Sequence, residues 1–299
     1  MPPQLIIDPL LPPLIFVIEL GMQIPYPPPM STSSAEQWME FLIPIRTALQ
    51  GAGLSGSTIS MKRNNDYSTW CLTNSRDSHN RYSWTRPLSQ IYSVVRRMGI
   101  MPSDFWGTRI HIGPAGAFYQ WQINAIAKSV IQHNNGFSAL GWDLWRNAIH
   151  ADARTRLWIP EFSSETRVDV YRAESAISPE EVARLMDRGG AVSHIRPWNF
   201  WPLVPLLYSF TGFLEYNLAP GSRTEQDAYM WINFVCLFVR GAIQSNGNWT
   251  GGSPSGGQRA LFIEGDLQIF ILEQADEVNL PEMERESLRQ RLDYLGGLY

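Results

Sequence analysis

The sequence has few lysines, few cysteines and no excess of positive charge. Of its 24 basic residues only Lys62 and Lys128 are lysines, which codon bias explains more simply than a special role for arginine. The formal net charge is -4, so the chain has no general attraction for a phosphate backbone, and nucleic acid is not expected as a partner. Cys71 and Cys236 are far apart in the sequence and predict neither a disulfide framework nor a zinc site.

Several common catalytic motifs are also missing. The sequence has no Gly-x-x-x-x-Gly-Lys phosphate loop, no Gly-x-Ser-x-Gly nucleophile elbow and no His-Glu-x-x-His metal helix. The stretch 251–257 is rich in glycine and serine, but it contains no lysine and has no clear flanking strand and helix. We therefore do not interpret it as a phosphate-binding loop.

The beginning of the chain is apolar but does not have the pattern of a membrane segment. Asp8, Glu19 and several prolines interrupt residues 5–22, and no basic leader precedes the apolar stretch. A signal peptide or membrane helix is therefore not expected, and the expected location is the cytoplasm. The prolines predict an irregular lead-in over residues 1–13, followed by a strand over 14–20.

The length and the 44% hydrophobic content fit either one domain or two, and we predict a single domain over residues 1–299. Residues 63–81 are polar and show no clear period. A flexible loop is predicted at 246–257 because it is rich in Gly, Ser and Asn. Helices are predicted over 34–50 with a bend or break at Pro44, over 87–98, over 121–133, from about Gln226, and at the C-terminus over 281–297.

Polar residues stand inside short apolar segments at three places. Glu19 lies in the run 16–20, Arg109 and His111 lie in 107–113, and Glu215 lies in 212–217. An unpaired buried carboxylate costs several kcal/mol, so we expect Glu19 and Glu215 to face a shared cleft. On a strand of period two, Arg109 and His111 point the same way, although His111 could also be a satisfied core histidine. Arg109 is expected to neutralise Glu19 or Glu215.

In their order and spacing these segments resemble the amidoligase family of carboxylate-amine ligases, which is related in fold to glutamine synthetase. The resemblance covers roughly residues 14–272 and includes the run 196–200, the Glu215 strand, the turn at Pro220–Gly221 and an aromatic-rich helix containing Trp231. It implies an α+β fold with a mainly antiparallel sheet flanked by helices, in a protein of fungal type. Such ligases form an acyl-phosphate from ATP and a carboxylate, which an amine then attacks.

The resemblance also implies ligands that this sequence replaces. Divalent cations that hold a triphosphate need several carboxylate oxygens in one cleft. In the hairpin that the resemblance implies after Trp70, Asn74 and Ser75 stand near the expected acid. Where the family has a second glutamate on the first strand this chain has Gly21, and where it has a further glutamate this chain has Tyr82. Arg109 takes the place of the family's second histidine, and Asn217 takes the place of its arginine. We therefore predict no metal site and no cofactor.

These observations favour a cofactor-independent enzyme that acts on an apolar small molecule, such as a cyclase or pericyclic catalyst of fungal secondary metabolism. The predicted catalytic residues are Glu19, Arg109, His111 and Glu215. The predicted substrate-binding residues are Tyr82, Trp84, Arg86, Trp106, Asn199 and Asn217. Two alternatives remain open. One is an ATP-dependent amide ligase whose ligands come from residues such as Asp77, Asp104 or Asp143, and the other is a non-catalytic small-molecule-binding protein.

Overall fold

A computed structural model describes most of the chain. The described residues are 14–23, 35–54, 58–62, 69–77, 81–102, 107–114, 116–134, 136–137, 140, 166–187, 197–204, 212–219, 221–247 and 267–296.

Seven strands within these ranges form one sheet in the order β2-β3-β1-β5-β7-β6, and β4 pairs with β1 off this path. Each of the strand pairings is antiparallel. The strands are β1 (Leu14–Gln23), β2 (Thr58–Lys62), β3 (Thr69–Asp77), β4 (Met101–Pro102), β5 (Arg109–Pro114), β6 (Trp198–Asn199) and β7 (Leu214–Tyr216). The prediction of an α+β protein with a mainly antiparallel sheet is confirmed.

Helices account for most of the remaining described residues. They are α1 (Ala35–Gly51), α2 (Arg81–Arg97), α3 (Gln120–Gln132), α4 (Thr166–Ser175), α5 (Pro179–Met186), α6 (Glu225–Gly247), α7 (Leu267–Glu277) and α8 (Glu282–Gly296), with a short 3-10 helix at Trp201–Leu203. Within the described ranges no helix combines the length and apolar character needed to cross a membrane.

Successive side chains of a strand point to opposite sides, so the sheet has an apolar face and a second face that carries charged residues beside the buried Val17, which we call the polar face. On β1 the apolar face carries Phe16, Ile18 and Leu20, each 1% exposed, while Glu19 lies on the other face. Ile110 and Ile112 continue the apolar face on β5. These side chains belong to one hydrophobic core together with residues of α2, α3 and α6.

An aromatic cluster holds β6 and β7 against α6. Trp198 lies opposite Tyr216 in the strand register, and their ring centroids are 4.8 Å apart. The Tyr216 ring lies 5.6 Å from Phe234, and the Trp198 ring lies 5.0 Å from Phe238. Aromatic contacts at these separations add to the free energy of burial. The cluster therefore packs one face of β7 against α6, and Glu215 lies on the opposite face of the same strand.

We expect the buried phenol of Tyr216 to make the protein less stable at alkaline pH. Burial raises the pKa of its phenol well above the ordinary value, so it stays protonated in the folded state while an unfolded chain ionises. A folded pKa above the unfolded one means that stability is complete below pH ~10 and falls as the pH rises further. The phenolic oxygen is buried and has no hydrogen-bond partner in the described structure. We therefore expect Tyr216→Phe to be neutral or stabilising at pH 8 and to lose less stability than the native protein at pH 10.5.

Urea denaturation at the two pH values measures this effect. Tyr119→Phe is the matched control, because Tyr119 is 66% exposed and its replacement should leave the alkaline loss unchanged. An equal alkaline loss in the native protein and in Tyr216→Phe would contradict the burial of the phenol.

Several predicted boundaries hold and several do not. β1 begins at Leu14 as predicted but extends to Gln23, and α3 and α8 match their predicted helices within a few residues. Pro44 does not split α1, which runs unbroken from Ala35 to Gly51. Pro87 lies inside α2 rather than at its beginning, so that helix begins at Arg81.

The segment without a clear period, 63–81, contains β3, which pairs with both β1 and β2. The residue pattern alone predicts no strand here, because polar residues such as Asn74 and Ser75 interrupt the alternation that marks a half-buried strand, whereas the family resemblance implies a hairpin after Trp70. α6 includes residues 246 and 247 of the predicted flexible loop, and 248–257 lie outside the described residues. The predicted lead-in, 1–13, also lies outside them.

Candidate functional site

The strand register brings the four predicted catalytic residues onto the polar face of the sheet. β1 and β5 place Glu19 directly opposite Arg109. β5 and β7 place His111 opposite Glu215, and β6 places Asn199 opposite Glu215 from the other side. Directly opposed side chains in an antiparallel pair have Cβ atoms roughly 5 Å apart. Together with Asn199 these residues come from four different strands, β1, β5, β6 and β7, so the site is assembled from distant parts of the sequence.

The charged groups form two contacts, each running diagonally between neighbouring strands. His111 Nε2 lies 3.3 Å from Glu19 Oε1, and both side chains are more than nine-tenths buried. Arg109 Nη1 lies 3.6 Å from Glu215 Oε1, with the Arg109 side chain 35% exposed and that of Glu215 11% exposed. Of the two carboxylates that Arg109 was expected to neutralise, the structure therefore shows a contact with Glu215.

Acidic and basic groups alternate across this patch, which we call the polar quartet: Glu19, Arg109, His111 and Glu215. Each carboxylate has one basic neighbour directly across the register and a second one on the diagonal. Such alternation reduces the cost of burying the carboxylates, since each lies beside groups of the opposite kind. Arg109 is the most exposed member and is therefore the one best placed to meet a ligand.

Asn199 connects Glu215 to the turn that follows β6. Its Nδ2 donates to Glu215 Oε2 at 2.8 Å, and its Oδ1 accepts from the backbone N–H of Trp201 at 3.1 Å. The indole Nε1 of Trp201 in turn donates to Asp187 Oδ2 at 2.9 Å. Both ends of the Asn199 amide thus have protein partners.

A buried hydroxyl network anchors the beginning of β5 next to Arg109. Thr108 Oγ1 lies 2.6 Å from Ser222 Oγ and accepts from the Ser222 backbone N–H at 3.1 Å. Tyr92 Oη donates to the Ser222 carbonyl at 2.8 Å. Thr108 and Ser222 are almost completely buried, so these bonds are shielded from water. They fix the strand end from which Arg109 projects.

Two apolar side chains next to the quartet were not among the predicted site residues. Gly113 lies two residues beyond His111, on the same face of β5. The half-buried Phe213 packs close to it, since its Cδ1 would lie 3.3 Å from a Cβ atom built on Gly113. Trp201 is also half-buried and adjoins the Asn199 turn. Phe213 could have been found from the period of two that relates it to Glu215. No comparable sequence signal marks Trp201.

The quartet contains the residue types that bind metals, but its geometry differs from that of a metal site. Within the described ranges, no group of three or more His, Cys, Asp and Glu side chains is arranged to hold a metal ion. Arg109 instead contacts Glu215, one of the two carboxylates that a cation would need.

The remaining predicted substrate-binding residues are only partly placed. Arg86 lies on α2 and is exposed. Asn217 follows β7, where its backbone N–H donates to Pro197 O at 2.9 Å. Its buried Oδ1 has no hydrogen-bond partner in the part of the chain that the structure describes. The backbones of Tyr82 and Trp84 belong to the first turn of α2, whereas their side chains and all of Trp106 lie outside the described residues.

Comparison with known proteins found similarity among solved structures only. No family model matches the sequence, and no curated protein matches it. Among solved structures, a bifunctional glutathione synthetase from Pasteurella multocida is similar with a TM-score of 0.43 and 10% sequence identity. The alignment covers 95% of this chain and 47% of that one, so this chain spans about half the length of that protein. The resemblance to amidoligases stays a prediction.

Proposed function

We propose that the protein is an enzyme that cyclises an apolar small molecule carrying a carbonyl group, without nucleotide or metal. The observation that carries the proposal is the Arg109–Glu215 contact, because it places a permanent cation where the amidoligase resemblance implies a metal-binding imidazole. A guanidinium repels a divalent cation but binds carbonyl and carboxylate oxygens. We place the reaction in fungal secondary metabolism on the sequence resemblance alone, and we keep the cytoplasm as its expected location.

Arg109 can activate such a substrate through hydrogen bonding. Its guanidinium has five N–H donors, and its contact with Glu215 at 3.6 Å is an ion pair rather than a hydrogen bond, so these donors can bind other groups. The exposed donors can bind a substrate carbonyl and withdraw electron density from a conjugated alkene. An intramolecular cycloaddition then forms its new σ bonds from the π electrons of the substrate. No oxidant, reductant or leaving group is needed, and the product is an isomer of the substrate.

His111 and Glu19 supply a second polar group beside Arg109. An imidazole next to a carboxylate can move a proton to or from a bound substrate, which favours enolisation of a carbonyl held by Arg109. Phe213 and Trp201 offer apolar surface near the same place, and holding a flexible chain in a reactive conformation accounts for a large part of such catalysis. The proposed partner is therefore a small molecule rather than nucleic acid or a membrane.

The second candidate is an ATP-dependent amide ligase. It is favoured by the presence of Glu19, His111 and Glu215 on one face of the sheet, since these are the residues that the amidoligase resemblance retains. A non-catalytic small-molecule-binding protein would use the same face without turnover.

We expect no stabilisation of the protein by Mg-ATP at millimolar concentration, because Gly21, Tyr82, Arg109 and Asn217 replace the ligands that the amidoligase resemblance implies. A ligand present at 100 times its Kd would add roughly 2.7 kcal/mol to the free energy of unfolding. Thermal melting with and without Mg-ATP measures this directly. Arg184→Ala is a suitable control, since Arg184 is an exposed arginine on α5.

A saturable rise in melting temperature that disappears in Glu19→Gln would contradict the proposal. That outcome would favour the ligase, because it would show that Glu19 holds the metal–nucleotide complex.

A further inference from the structure

The Asn199 side chain has only one orientation that satisfies both of its partners. A backbone N–H can only donate, so the atom facing the N–H of Trp201 at 3.1 Å must be the carbonyl oxygen Oδ1. The amide nitrogen then necessarily faces Glu215 Oε2, at 2.8 Å. An asparagine that bonds the backbone two residues ahead forms an Asx turn, which fixes its side chain relative to the strand.

The other oxygen of Glu215 faces Arg109. Asn199 holds Oε2 at 2.8 Å, and Oε1 lies 3.6 Å from Arg109 Nη1, so each carboxylate oxygen has a different neighbour. The turn itself is held at a second point, because Trp201 Nε1 donates to Asp187 Oδ2 at the end of α5. A continuous chain of contacts therefore leads from α5 through the turn and Glu215 to the guanidinium.

We infer that Asn199 is a positioning residue that sets the orientation of Glu215 and, through it, of the Arg109 guanidinium. This differs from the sequence prediction that Asn199 binds the substrate itself, since both polar ends of its amide already have protein partners. The inference rests on the proposed function only in treating Arg109 as the group that meets the substrate. The geometry of Arg109 can be measured without any substrate.

Asn199→Asp is the decisive variant. It preserves the size of the side chain and the oxygen that accepts from Trp201, but it replaces the amide donor with a second carboxylate oxygen beside Glu215. Two carboxylates this close cannot both carry a negative charge at low cost. We expect the Nε–Hε NMR signal of Arg109 to shift or broaden at pH 7.5, and the melting temperature to fall by on the order of 5 °C.

At pH 4.5 the Asn199→Asp variant and the native protein should differ much less in the Arg109 signal and in melting temperature. One shared proton then restores a hydrogen bond between the two carboxyl groups of the variant. Glu19, His111, Arg109 and Asp187 also face this region or its turn, so the comparison is the variant minus the native protein at each pH. Arg109→Lys assigns the Arg109 signal. The signal of Arg184, which pairs with Glu180 on an exposed helix surface, should not move.

Asn199→Ser provides a second test in case the first variant folds poorly. Serine keeps an acceptor for the turn and lacks the amide donor, but it adds no charge. The Arg109 signal should therefore change without a pH-dependent loss of stability. An unmoved Arg109 signal in a folded variant of either kind would overturn the inference and would leave Asn199 as a residue of the turn only. That result would leave the proposed cyclisation by Arg109 untouched. Cyclisation is tested separately, by asking whether the protein converts a compound into an isomer of identical mass.

Discussion

Replacing His111 with leucine is expected to cost about 3–5 kcal/mol of folding free energy, because it removes one partner of a buried pair. Glu19 and His111 are both more than nine-tenths buried and lie 3.3 Å apart. Glu19→Leu should cost a similar amount. The double variant should recover much of the loss, since an apolar pair leaves no buried charge behind. Urea denaturation of the four proteins gives the coupling energy of the pair.

The exposed pair Glu180 and Arg184 is the matched control for this cycle. Their side chains are 49% and 69% exposed, and such a pair typically couples by less than ~1 kcal/mol. If the stability losses of His111→Leu and Glu19→Leu simply added in the double variant, the two side chains would not interact across the sheet. The polar quartet would then not be a single site.

Trp231→Ala is expected to destabilise the protein by roughly 3–5 kcal/mol. Trp231 is 1% exposed, and its ring lies 6.2 Å from that of Tyr216 and 5.7 Å from that of Phe234. The loss combines the transfer energy of the indole with the cavity left behind. Because Tyr216 follows Glu215 on β7, the cavity should also loosen the strand that carries the site.

Chemical denaturation measures this loss, and Trp121→Ala is its control. Trp121 is 43% exposed, so its removal should cost well under ~1 kcal/mol. A loss at Trp231 as small as that at Trp121 would mean that the aromatic cluster does not hold α6 against the sheet.

The placement of the site on one face could be predicted from the sequence, but its contacts could not. Period two is enough to put Arg109 and His111 on the same side of β5. It does not say which residue lies opposite them, because β1 and β5 are separated by a long stretch of chain and no tight turn fixes their register. Even the register is not enough, because it places Arg109 opposite Glu19 and His111 opposite Glu215, whereas the contacts join the diagonal pairs.

Other features depend on contacts between distant residues. The role of Asn199 requires the turn that brings the Trp201 N–H to its side chain, together with the register that places it opposite Glu215. The polar residues of β3 do not mark it as a strand locally, and its place in the sheet depends on pairing with β2 on one side and β1 on the other. Local propensity is a weak guide where pairing decides the structure.

The most direct test of cyclisation by the polar face is a mass measurement. An organic extract of cells in which the gene has been deleted is incubated with the native protein, with Arg109→Ala and with the control Arg184→Ala, and is then analysed by liquid chromatography and mass spectrometry. We expect the native protein and the control to convert one compound into another of identical mass and different retention time, and Arg109→Ala to do so far more slowly. A product formed only with ATP, and lighter by one water than its two precursors together, would identify a ligase. Recovery of a bound compound unchanged would identify a binding protein, and either result would contradict the proposed cyclisation.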